Sequence, residues 1–261
     1  MSDVRRRHFL LPGPPFTSRV YAATDVHRER AALKIRDLHR WDLSYGEAVR
    51  LQERLAPGVR ETELRREPRT VCGLDVSHER RSDVVHAAAV VLSVPGLDVI
   101  EEALVTARTR FPYVPGLLSF REAPAAIEAL RRLGGPPDLI VCDGQGRAHP
   151  RRLGLASHVG LWAGVPTVGV AKSRLVGEHR EPAARRGSSV RLVDPGTLEV
   201  IGRVVRTRTG VKPVYVSVGH LVTLGDAVRW ALRLSPRFRL PEPSRAAHSA
   251  ANRMRTAAKG G

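Results

Sequence analysis

The sequence predicts an α/β domain, a mixed sheet flanked by helices, and three observations predict it. Three apolar runs joined by turn signals come first; short unbroken apolar runs then alternate with helical patterns. The chain has 261 residues of which 42% are hydrophobic, enough to fill the core of one sizeable domain.

Taken in order, residues 1–37 include "LLPGPPF" and mixed charge without a clear period, and read as a basic extension. A domain over 38–248 and a basic tail over 249–261 are expected after it. In "LSYGEAVRLQERLA", Ala48, Leu51 and Leu55 recur at helical spacing, Ser44 and Glu47 form a capping box, and Pro57 ends the helix. "VCGLDVS", "VVHAAAVVLSV" and "LDVIEEALVTA" are strand-like, and "PGLD" at the last junction signals antiparallel hairpins. "APAAIEALRRL" reads as a helix from Ala123 to Leu133, closed by Gly134, Gly135, Pro136 and Pro137. "DLIVCD", "LGLASHVGLWAG" and "PTVGVA" then read as strand, helix and strand, which implies a parallel pair with a right-handed crossover. A hairpin from "SSVRLVD" and "EVIGRVVRT", a strand "PVYVSVGH" and a helix over 223–234 complete the pattern. This order suits the ribonuclease-H-like type of α/β domain, a fold that hosts many chemistries.

Forty-three Lys and Arg against 26 Asp and Glu leave a formal charge of +17, which points to a polyanionic partner, nucleic acid or an acidic membrane surface. Residues 1–40 and 236–261 each carry +5 and the middle +7, so the globular part is itself basic. No apolar run reaches the roughly 18 residues of a membrane span and the start lacks a signal peptide's apolar core, so a cytoplasmic protein is expected. Cys72 and Cys142 sit in apolar strands outside any metal-type pair and read as buried reduced thiols.

Asp75 interrupts an apolar strand, where a carboxylate is costly unless paired or bound to a cation. Asp143 ends another strand, beside Gly144 and Gly146, and Glu122 is expected to open a helix. Three acids on separate elements could converge on Mg²⁺, a hard ion that takes oxygen ligands; each could equally cap a helix or turn. Side-chain alternation turns both cysteines away from the aspartates. "DGQGRAHPRR" places His149, Arg147, Arg151 and Arg152 near Asp143, either to hold phosphate or as a solvated basic loop. Lys172 follows a parallel strand and His220 ends a later one.

Together "GLDVS", "PYVPGLLSFRE", "DGQGRAHPRRLGLASHVG", "GVAKSRL", "SVGHLVTLGDA" and "RLPEPSRAAH" resemble the endonuclease V family, in order from Leu38 to His248. The resemblance implies a ribonuclease-H-like fold and Mg²⁺-dependent cleavage of DNA at the second phosphodiester bond 3′ to deoxyinosine, with Mn²⁺ able to substitute. It implies Asp75, Glu122 and Asp143 as metal-binding acids, Lys172 near the scissile phosphate, and His220 as an auxiliary metal-site or proton-transfer group. One metal or two stays open, as does inosine-containing RNA as a substrate. A monomer without membrane attachment is expected. Val218 stands where the family often has proline, and the extension is either a basic arm or an upstream start.

Damaged-base enzymes extrude the nucleotide they inspect, so something must fill the gap. In "PYVPG", two prolines stiffen the loop, Tyr113 offers a stacking ring and Val114 an apolar tip; the same segment could be a plain strand-to-helix connection. By the resemblance, Pro115, Gly116 and Leu118 on one side, with Gly144, His149, Gly154, Leu155 and Leu175 on the other, bind the substrate.

Overall fold

Eight strands form one mixed sheet in the order β3-β2-β1-β4-β5-β8-β7-β6. The structure, a computed structural model, describes residues 33–79 and 82–257. Most of the extension expected over 1–37 therefore lies outside the described residues. Its last part does not: Leu33 and Ile35 pack on the core, and the Arg36 N–H donates to the Trp162 carbonyl at 2.8 Å.

Helix α1 (Tyr45–Leu55) starts on the expected capping box, with the Ser44 side chain accepting from the Glu47 N–H. The antiparallel strands β1 (Thr70–His78), β2 (Val84–Ser93) and β3 (Val99–Arg108) follow. Helix α2 runs Leu118–Arg131, not from Ala123. Pro124 suggested a helix start, because proline suits the first turn; here it sits inside the helix. Glu122 is consequently a buried residue within α2 and does not open it.

Strands β4 (Leu139–Cys142) and β5 (Thr167–Ala171) are parallel, joined through α3 (Leu155–Ala163). Strand β4 also pairs in parallel with β1, so the sheet's centre is the buried trio β1, β4 and β5. The hairpin β6 (Ser189–Val193) and β7 (Val200–Val205) and the strand β8 (Val214–His220) extend the antiparallel side. Helix α4 (Leu224–Arg233) is capped by Thr223.

A last helix, α5 (Glu242–Ala257), crosses the boundary expected at His248 and buries Ala247, Ala250 and Ala251 against Ala88, Val90 and Leu92 of β2. Residues 249–257 thus belong to the packed domain. It can lie close because β1 has glycine beneath it: a Cβ on Gly73 would stand 1.9 Å from the Pro243 carbonyl oxygen. Helices α2 and α3 cover the face that carries Cys72, Leu74 and Cys142; α4 packs on Val141, Val168 and Val216 of the opposite face, where α5 also lies. Both cysteines are free, buried and on the α2/α3 side, as strand alternation requires.

Candidate active site

Parallel pairing brings the two aspartates together. Leu74 of β1 is in register with Cys142 of β4, so Asp75, within β1, and Asp143, just past the end of β4, come next, side by side. The Asp143 N–H donates to the Leu74 carbonyl at 3.1 Å. Lys172, just past the end of β5, places its ammonium on the Asp143 carboxylate. From α5, His248 Nδ1 stands 2.7 Å from Asp75 Oδ2. One ligand atom from each of Asp75, Asp143 and His248 lies within 4.8 Å of the others.

Glu122 is buried and set aside from that group. Its Oε1 is 2.6 Å from His78 Nε2, and Arg121 Nε donates to His78 Nδ1 at 3.3 Å. Burial pushes the Glu122 carboxyl up from its ordinary range, His78 opposes the shift, and the charges of Asp75 and Asp143 add to it. Burial likewise raises Asp143, the Asp75 charge adds to it, and Lys172 pulls back. Two close aspartates in a desolvated place, with the charge of Glu122 nearby, are suited to a hard divalent cation.

His220 does not reach this place. Strand β8 runs antiparallel to β5 and pairs His220 with Thr167 and Tyr215 with Ala171. Its last residue therefore lies at the opposite end of the strands from Lys172, about 16 Å away along β5. There the ring Nδ1 accepts the Arg60 N–H at 3.2 Å.

The loop before α2 presents exposed residues and is anchored through one carbonyl. Tyr113 is 70% exposed and Pro115 is exposed. Gly116 has φ +78°, which suits glycine, and its carbonyl accepts from His149 Nε2 at 2.9 Å, Arg151 Nη2 at 2.8 Å and Gln52 Nε2 at 3.1 Å. Gln52 is fully buried, donates also to the Leu153 carbonyl at 3.1 Å, and accepts from Arg151 Nε at 2.6 Å. Leu155 packs against Gly144. Gly154 is spoken for by the chain itself, since a Cβ there would stand 2.3 Å from the Gln145 carbonyl oxygen. Leu118 is half-buried at the start of α2, and Leu175 is exposed beyond Lys172. Gln145 Nε2 ties the turn after Asp143 to the Ser173 carbonyl at 2.9 Å.

Residues 53–249 match the family model of endonuclease V. The chain is 47% identical over 221 residues to endonuclease V of Trichormus variabilis, covering 84% of this chain and 99% of that protein. The chain belongs to the endonuclease V family. Among solved structures, endonuclease V of Streptomyces avermitilis superposes with a TM-score of 0.80 at 44% identity, over 88% of this chain and all of that one. Endonuclease V of Ciona intestinalis, at 25% identity and a TM-score of 0.72 over 81% of this chain and 97% of that one, was crystallised with DNA containing an inosine followed by a ribo-adenosine.

Membership makes the chain a nuclease, a hydrolase of phosphodiester bonds. Among its described residues, no helix is long and apolar enough to cross a membrane. All three arginines near Asp143 are used internally: Arg147 pairs with Glu61 at 3.0 Å, and Arg152 with Asp194 at 2.6 Å and Glu199 at 2.7 Å. Arg151 grips Gly116 and Gln52. Reading the sequence for chemistry missed His248, although "RLPEPSRAAH" ends on it. The missing signal was α5 itself, an alanine-faced helix with little apolar stripe.

Proposed function

We propose that this endonuclease V nicks DNA at the second phosphodiester bond 3′ to deoxyinosine, with Mg²⁺ as its cation and Mn²⁺ able to replace it, leaving a 3′-hydroxyl and a 5′-phosphate. The observation that carries the reading is the meeting of Asp75, Asp143 and His248 over the central strands of the sheet. The inosine-bearing DNA bound by the Ciona intestinalis relative supports the choice of substrate.

Asp75 and Asp143 would hold the cation, and Glu122 adds to the negative field around them. When bound, the cation polarises the phosphate and lowers the pKa of the attacking water. Lys172, in contact with Asp143, is within reach of a phosphate there and offsets charge on its non-bridging oxygens. Tyr113 stacks into the gap left by the extruded nucleotide, and the anchored Gly116 carbonyl holds that loop in place. Gly116, Leu118, Gly144, Leu155 and Leu175 line the base site. The protein acts as a cytoplasmic monomer.

The test incubates the protein and Mg²⁺ with matched labelled DNA and RNA strands carrying one inosine, alongside Asp143→Asn and EDTA controls. A nick at the second bond 3′ to inosine, lost in both controls, is expected. The relative's ligand has a ribo-adenosine next to its inosine, so the RNA arm tests the preferred sugar. Absence of cleavage in both strands overturns the reading.

A further inference from the structure

The chain of hydrogen bonds behind Asp75 has a direction. Asn252 Oδ1 faces Arg255, whose Nε and Nη2 lie at 3.3 and 3.2 Å, and also receives the Ser77 hydroxyl at 3.0 Å. A guanidinium has no lone pair to offer, so this side of the Asn252 amide is its oxygen. The amide nitrogen then points at His248 Nε2, 2.9 Å away, and a primary amide nitrogen only donates. His248 Nε2 must accept, which puts the ring's single proton on Nδ1, aimed at Asp75 Oδ2 at 2.7 Å. The other Asp75 oxygen accepts the Val76 N–H at 2.9 Å.

We infer that Asn252, oriented by Arg255, is a positioning residue that locks His248 as the Nδ1–H tautomer, so that the imidazole braces the Asp75 carboxylate and offers no lone pair to a cation. The geometry that brings His248 into the acidic group would otherwise suit a ligand, because Nδ1 is the ring atom nearest the aspartates. With a proton there, Asp75 and Asp143 remain as the direct oxygen donors, and Asp75 presents a fixed orientation. Outer partners of this kind set both the tautomer and the direction of the group they touch. The inference rests on the proposed reading of Asp75 as a cation-holding residue, while its test does not depend on cleavage.

The test is long-range ¹H–¹⁵N correlation of the histidine rings in full-length, ¹⁵N-histidine-labelled protein without metal, with His248→Gln to assign the signal. A protonated Nδ1 and a bare Nε2 are expected in the parent. Asn252→Asp replaces the donor by a carboxylate and is expected to move a proton onto Nε2. Asn252→Ala is expected to blend the two tautomers. Asn252→Asp is further expected to lower kcat about 10- to 100-fold with KM unchanged, the range for loss of an outer partner. A parent ring protonated at Nε2, or ring signals unmoved in Asn252→Asp, overturns the inference. Failure to cut any inosine strand would count against the proposed function alone, because the ring signals are read without substrate.

Discussion

His149 Nε2 stands 2.9 Å from the Gly116 carbonyl oxygen, so the segment that starts at Asp143 also anchors the loop that carries Tyr113. The Tyr113 loop and the acidic site thus share one piece of backbone.

Tyr113→Ala is expected to lower discrimination between inosine-containing and undamaged duplex about tenfold, from the ~1–3 kcal/mol that a base stacked on an aromatic ring contributes. Because the ring is largely exposed, thermal stability should stay near that of the parent. Cleavage rates on the two duplexes, with a melting curve, check it.

Gln52→Leu removes one donor to Gly116 and the acceptor of Arg151 Nε, in a fully buried place. A loss of about 1–3 kcal/mol in unfolding free energy is expected, the cost of stranding buried polar groups. Denaturant titration measures it, and inosine preference should weaken in parallel.

Asp143→Asn is expected to reduce cleavage to the level of an EDTA control while inosine-DNA binding persists. Lys172→Ala should cost less, because it removes a charge near the phosphate and leaves both aspartates. Single-turnover rates beside gel-shift affinities separate the two effects.

Acid should destabilise the fold below neutrality. Burial holds His149 and His220 down to about 4 from 6.5, helped by Arg151 and by Arg60, and pushes the fully buried His158 well below 6.5. Backbone N–H groups of Arg151 and Arg60 already point at Nδ1 of His149 and His220, leaving no room for a second proton. Folded pKa values below the unfolded one mean that the unfolded chain binds more protons. Stability is therefore full above about pH 6.5 and falls as pH drops through 6.5 towards 4. His149 alone accounts for roughly 3 kcal/mol at the acid end, since one unit is 1.36 kcal/mol. Melting temperature across this window, with His220→Gln flattening the slope, is the measurement.

How far the site was legible follows from the same residues. Asp75 and Asp143 stood out because a carboxylate in or ending an apolar strand is anomalous, and parallel pairing then set them side by side. His220 looked equivalent, also ending a strand, but periodicity does not tell which way a strand pairs. The antiparallel match of β8 to β5 sent it to the far end of the strands. Helix α5 was invisible because its buried side is alanine, the small residue that close packing over Gly73 requires, so no strong apolar stripe marks it. Glu122 was expected among the ligands; its histidine partner, in the last position of β1, carried no signal of its own.

Helix α5 follows the other described elements in the chain, yet it packs on β1, the earliest described strand, and places His248 on Asp75 across 173 residues of chain. A ribosome that has made both aspartates still holds a protein without this contact. A product that stops before Glu242 carries both aspartates but lacks the side chain that steadies Asp75.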